Sequence, residues 1–238
     1  MTDRPAPDAT PLHLYVLIDE SGSMSAIRDD AIGGFNQLLT EQRDDAIPGS
    51  RVTLVFFDSQ NPCRIHWNGT PLHDAIDLTP ADFRPRGGTP LLDATGRIIA
   101  LADAEAGART AAGEVAEGIL VVTITDGHEN ASSEFDRDAL TQLIRQREAD
   151  GWEFQFLAAD LAAFDDARAM GYAADRLVHF ERSAVGMRSA MATTNQMTNR
   201  RKAALRQQHE DRVNLEFEQR LEADRRRNEG SDGSGSSR

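Results

Sequence analysis

The stretch His13–Ile18 (HLYVLI), followed at once by Asp19-Glu20-Ser21-Gly22-Ser23, sets the frame for the whole chain. A short apolar run bounded by turn residues is the signature of a strand buried on both faces, and such strands belong to parallel sheets covered by helices. A helical pattern follows. Ile27, Ala31, Phe35, Leu38 and Leu39 recur at spacings of three and four until Pro48-Gly49 breaks the run. Outward from this unit the alternation repeats. Arg51–Phe57 (RVTLVFF) reads as a second strand ending at Asp58, and Arg64–Trp67 as a short third one. The third lies too close behind the second for a crossover helix, so antiparallel pairing is expected. Leu91 to about Glu105 reads as helix, Ile119–Thr125 (ILVVTIT) as the most apolar and hence central strand, and Phe135–Asp150 as helix. Trp152–Ala158 is a strand, Leu161–Met170 a short helix before Gly171, and Leu177–Phe180 a last edge strand. Strands alternating with helices predict an α/β fold: a doubly wound, mostly parallel sheet with one short antiparallel edge strand, helices on both faces and a C-terminal helical extension.

Composition narrows the function classes. The chain has 238 residues, 39% of them hydrophobic, and a formal charge of −13. That acidity argues against general nucleic-acid binding, which needs clustered Lys and Arg on phosphates. One cysteine, Cys63, permits neither an intrachain disulfide nor a multi-cysteine zinc site, so a reducing, cytoplasmic setting is expected. No apolar run of about 18 residues exists, so no membrane span is expected. The expected organisation is a disordered lead-in over 1–11, a domain over 12–182, a charged helix over 183–228 and a flexible tail over 229–238. From Asn199 to Arg227, nine Lys/Arg face six Asp/Glu, with Leu205, Val213, Phe217 and Leu221 as a thin apolar stripe. That pattern reads as a solvated helix on which the domain should not depend.

Three segments carry chemistry, each after a strand or before a helix: Asp19-Glu20-Ser21-Gly22-Ser23, Gly87-Gly88-Thr89-Pro90-Leu91 and Thr125-Asp126-Gly127. In an open parallel sheet such segments meet in the crevice outside the carboxyl ends of the strands. Their side chains are hard oxygen donors: two carboxylates, two serine hydroxyls and a threonine hydroxyl. Such a set suits Mg²⁺ or Mn²⁺ and is poor for zinc. Taken singly, Ser21 and Ser23 read as helix caps; taken jointly with Thr89 and Asp126, the metal site is the stronger reading. Asp93, Asp58, Glu129 and Asn130 are candidates for the outer shell or rim of the same site.

D-x-S-x-S after a first strand, the threonine of G-T-P-L and a later T-D-G resemble the von Willebrand factor A (vWA) domain family over roughly residues 12–182. The resemblance implies a Rossmann-like fold and a metal-ion-dependent adhesion site formed by Asp19, Ser21, Ser23, Thr89 and Asp126. Gly33-Gly34-Phe35-Asn36-Gln37-Leu38-Leu39 and Asp126-Gly127-His128-Glu129-Asn130 resemble a bacterial cytosolic subgroup of that family.

The resulting expectation is a protein-interaction module, not an enzyme, whose bound Mg²⁺ or Mn²⁺ takes an exposed Asp or Glu of a protein partner. Two alternatives stand beside it. One is a metal-dependent hydrolase or phosphatase using Asp19 as nucleophile, which would want an acid two residues on, where Ser21 stands. The other is a scaffold acting mainly through its C-terminal helix. Nucleotide-binding glycine motifs and the G-x-S-x-G elbow are absent from the sequence.

Overall fold

The computed structural model describes the backbone of residues 9–232 and the side chains of residues 9–223. The elements follow in the order β1 (Leu12–Asp19), α1 (Arg28–Asp44), β2 (Arg51–Asp58), β3 (Asn61–Pro71), α2 (Leu91–Ala111), β4 (Gly118–Thr125), α3 (Arg137–Ala149), β5 (Glu153–Ala158), α4 (Leu161–Ala169), β6 (Leu177–His179) and α5 (Ala184–Asp232). The six strands form one sheet in the order β3-β2-β1-β4-β5-β6. All pairs are parallel except β2 with β3. The expected α/β architecture is therefore the observed one.

Every residue of β1 and β4 is buried, as befits the two central strands. Side-chain alternation along β1 divides the core. Leu12, Leu14, Val16 and Ile18 face α1 and the start of α5, whereas Tyr15 and Leu17 face α2, α3 and α4. Strand order reverses between β1 and β4, because α1 leads from β1 to one side and α2 carries the chain back past β1 to the other. Right-handed crossovers place those two helices on opposite faces and open a crevice at the carboxyl ends of β1 and β4.

Several boundaries differ from the sequence reading. The antiparallel edge strand β3 spans 11 residues and not only Arg64–Trp67. Its pairing with β2 is interrupted by register shifts, and its outer positions are half exposed, so it lacks a strand's clean apolar alternation. The first helix is preceded by a 3-10 turn over Gly22–Ile27. Residues 1–8 of the expected lead-in and 233–238 of the expected tail lie outside the described residues. Ala9 and Pro11 are buried, and the Pro11 carbonyl accepts from the Gly118 amide, so the end of the lead-in is part of the fold.

The largest correction concerns α5. It is one 49-residue helix, and its packed face continues well past Asn199. At its start it lies so close to α1 that a Cβ on Gly34 would fall 2.7 Å from Met187 Cγ. Only glycine allows that approach, which accounts for Gly34 in the first helix. Farther along, Gln42 Nε2 donates to Asn195 Oδ1 at 2.8 Å. Lys202, fully buried, pairs with Asp45 at 2.8 Å. Leu205, 2% exposed, sits against Gly118 at the start of β4. Beyond Arg206 the described side chains are exposed or half-exposed, including Val213, Phe217 and Leu221. The sequence pattern underestimated this packing because Lys202 and Leu205 sit among solvated charges with no sustained apolar period.

Truncation separates the packed and projecting parts. A chain ending after Arg200 loses Lys202 and Leu205, and removal of a buried leucine alone costs about 2–5 kcal/mol. Its melting temperature should fall by about 5–15 °C. A chain ending after Gln207 keeps both and should melt within about 2 °C of the full chain. Circular dichroism melts of the three proteins check this.

Candidate functional site

The site is built at the carboxyl ends of β1 and β4. Asp19 is the last residue of β1 and is fully buried. Its Oδ1 accepts from the Ser21 backbone amide at 2.7 Å, and its Oδ2 from the Thr125 hydroxyl at 2.6 Å. Thr89 Oγ1 lies 3.4 Å from the same Oδ2. The 3-10 turn after β1 brings Ser21 and Ser23 side by side, with their hydroxyls 3.1 Å apart. Ser23 then donates to Asp126 Oδ1 at 2.5 Å. The structure thus joins the five positions singled out from the sequence in one run of oxygen atoms. Asp19, Ser21, Thr89 and Asp126 are buried and Ser23 is exposed, so the run has one open side.

Charge in this cluster is poorly balanced. Burial pushes the Asp19 carboxyl up to about 6 from 3.8, and the nearby Asp126 carboxylate acts in the same direction. Hydrogen bonds from Thr125 and Ser21 oppose the rise without cancelling it. Among the described residues no basic side chain pairs with Asp19, and only Arg182 approaches Asp126, with Nε 3.5 Å from Oδ2. The Arg182 guanidinium also donates to the Asp126 carbonyl. Two neighbouring buried carboxylates and three hydroxyls form a donor set that fits a hard divalent cation. The described residues contain no cluster of three or more His, Cys, Asp and Glu side chains that could hold a metal ion, so a cation here would rest on two carboxylates and hydroxyl oxygens.

The loop that delivers Thr89 is held from both sides. Glu20, 1% exposed, accepts from both Arg64 Nε (3.0 Å) and its Nη2 (2.7 Å), and also from the Arg84 amide. Its own carbonyl accepts from the Arg86 amide at 2.7 Å. Gly22 donates to the Gly87 carbonyl at 3.0 Å. Gly87 has φ of +66°, and a Cβ there would lie 2.5 Å from Ser59 Oγ, so this tight passage requires glycine. On the other side Asn130 closes two bonds with Thr89: Oδ1 accepts from the Thr89 amide at 2.9 Å, and the Asn130 amide donates to the Thr89 carbonyl at 3.1 Å.

The four outer positions act on backbone and not on the oxygen cluster. Asp58 accepts from the Gln60 and Asn61 amides, which turns β2 into β3, and pairs with Arg86 at 2.7 Å. Asp93 accepts from the amides of Ser133, Glu134 and Phe135. Glu129 caps the first turn of α2 through the Leu92 amide and folds its own loop through the amides of Ala131 and Ser132. Asn130 alone among the four touches a residue of the cluster. Glu20, Thr125 and Arg182 were missed in the sequence. Glu20 and Thr125 adjoin motif residues and carried a signal of position; Arg182 carried none, since it lies 56 residues from Asp126.

No protein-family model and no curated protein matches the sequence. The fold does match solved structures. Proximal thread matrix protein 1 from the mussel byssus, in a form described with a zinc-occupied metal-ion-dependent adhesion site, matches at TM-score 0.54 and 14% identity over 78% of this chain and 47% of that one. The SpRpn10 VWA domain matches at TM-score 0.53 and 14% identity, over 76% of this chain and 93% of that domain. Manganese-loaded TRAP protein of Plasmodium vivax matches at 0.51 and 14%, over 78% and 73%. The chain spans about half of the mussel protein, so the likeness concerns a domain of it. With its strand order, its flanking helices and these matches, the chain has the fold of a von Willebrand factor A domain.

Proposed function

We propose that this protein is a divalent-cation-dependent protein-interaction module, and that Asp19, Ser21, Ser23, Thr89 and Asp126 hold the cation. The observation that carries the reading is the convergence of two buried carboxylates and three hydroxyls on one open-sided cluster, with no basic partner for Asp19 among the described residues. A cation there would offset the cost of keeping two carboxylates out of water. The zinc and manganese described for the mussel and Plasmodium proteins of the same fold support a divalent ion. The all-oxygen donor set favours Mg²⁺ or Mn²⁺.

The partner's chemistry follows from charge. Two carboxylates leave a hard cation short of anionic ligands, so an exposed Asp or Glu of a protein partner is the fitting addition, while Thr89 and Ser23 orient the open side. Chain residues position and neutralise; no bond need be made or broken. Ser21 stands where a phosphatase using Asp19 would place its acid, and both Asp19 oxygens are already hydrogen-bonded. The described helices include none long and apolar enough to cross a membrane. A single cysteine, Cys63, fits a cytoplasmic setting.

Added Mg²⁺ or Mn²⁺ should raise the melting temperature, by the equivalent of about 2.7 kcal/mol at a hundredfold excess over Kd, and chelator should reverse it. Asp19→Ala and Asp126→Ala should abolish the response; a wild type indifferent to either ion sinks the assignment.

Asp19→Asn gives a second measurement. The wild-type carboxyl titrates near 6 when folded and near 3.8 when unfolded, so between those values the folded state binds more protons and loses stability as pH rises. In chelator at pH 7.5 the amide variant should therefore be more stable than wild type by about 1–3 kcal/mol, with the advantage fading toward pH 4. Denaturant titrations across that range check both sign and window.

Thr89→Ala leaves both carboxylates and should fold normally. In pull-downs with Mg²⁺ it should lose most partner capture, and EDTA should do the same to the wild type. Equal capture in all conditions would move the function to another surface.

A further inference from the structure

We propose that Arg182 is a built-in competitor for the cation site, a positioning residue that sets how tightly the site takes a divalent ion. The proposal rests on the cation-binding reading given above and adds to it a residue of this chain that opposes loading.

Three observations place Arg182 in that role. Its Nε lies 3.5 Å from Asp126 Oδ2, the oxygen that Ser23 leaves free, and its guanidinium also donates to the Asp126 carbonyl. Among the described residues it is the only basic side chain within ion-pairing distance of either buried carboxylate of the cluster. The backbone that presents it is tightly constrained. Ser183 caps α5 through the Gly186 amide, and its own amide donates to the Glu181 carbonyl at 2.7 Å. A Cβ on Gly186 would lie 2.3 Å from that carbonyl, so the 181–186 turn closes on itself. The side chain, in contrast, is 49% exposed and has water to swing into.

A divalent ion held by Asp19 and Asp126 and the Arg182 guanidinium are like charges aimed at the same carboxylate. With Asp126 buried and Arg182 half-exposed, that repulsion is screened less than between two surface charges. Either the guanidinium turns outward or the ion binds more weakly, and in both cases the ion must overcome the Arg182–Asp126 contact. By linkage, whatever favours one cation on Asp126 disfavours the other by the same factor. Loading then requires more metal than the five oxygen donors alone would need.

The test is calorimetric titration of the full chain with MgCl₂ alone, repeated with MnCl₂. Arg182→Gln should tighten Kd by about tenfold, within the usual span of coupling between two sites. Arg182→Lys keeps the charge and should stay within about threefold of wild type. Arg168→Gln removes an arginine of equal charge that pairs with Asp165 on α4, and should change Kd by less than about twofold. Melting in chelator establishes that each variant is folded. Unchanged or weaker binding in folded Arg182→Gln overturns the proposal while leaving the cation site intact, and so does an equal gain from Arg168→Gln. A wild type that takes up neither ion overturns the site itself and this inference with it.

Discussion

The burial of Asp19 at the end of β1 is the constraint around which the rest of the site is arranged. A carboxylate without water must have hydrogen bonds, a counter-charge or a proton. Here Thr125 and the Ser21 amide supply hydrogen bonds, but among the described residues no arginine or lysine pairs with it. A second carboxylate, Asp126, ends up nearby because β1 and β4 are adjacent parallel strands whose ends point the same way. The result is a pocket of negative charge that, among the described residues, only the contact of Arg182 with Asp126 offsets. Such a pocket is a poor stabilising element, and the pressure on Asp19 toward protonation expresses that cost.

Around this cluster the chain uses backbone-directed carboxylates as fasteners. Glu20, Asp58, Asp93 and Glu129 are acidic residues of the same edge, yet each is turned to amides or to an arginine. Their effect is positional. Glu20 and Asn130 hold the Thr89 loop from opposite sides, so the hydroxyl is fixed without being a rigid part of any strand. Asn36 does the same at a distance: its amide group both donates to and accepts from Leu78, tying the preceding loop to α1. Gly34 of that helix segment serves α5 packing, and its asparagine serves loop order.

α5 joins two environments. Up to Arg206 it is a wall of the core, closed by buried polar contacts as much as by apolar ones. Past that point it projects as a charged helix whose apolar residues Val213, Phe217 and Leu221 are exposed among the described residues. The turn before it carries Arg182 to Asp126, so the helix begins at the site and ends far from it.

The alternation of buried strands with amphipathic helices was legible in the sequence because both faces of a parallel sheet are covered, which leaves long unbroken apolar runs such as ILVVTIT. The meeting of these oxygen-bearing side chains was legible in part: Asp19, Ser21, Ser23 and Asp126 lie within a few residues of the ends of β1 and β4, which the topology of such a sheet gathers in one crevice, whereas Thr89 lies in the loop just before α2. The extent of β3, the packing of Lys202 and Leu205, and the partners of Asp58, Asp93 and Glu129 were not. Those depend on which surfaces meet across gaps of tens of residues, and a charged side chain looks the same in a sequence whether it faces water or a backbone amide. Arg182 is the clearest case: one arginine among many along the chain, it gains its meaning from a contact with Asp126 that only the closure of the sheet and the start of α5 bring about.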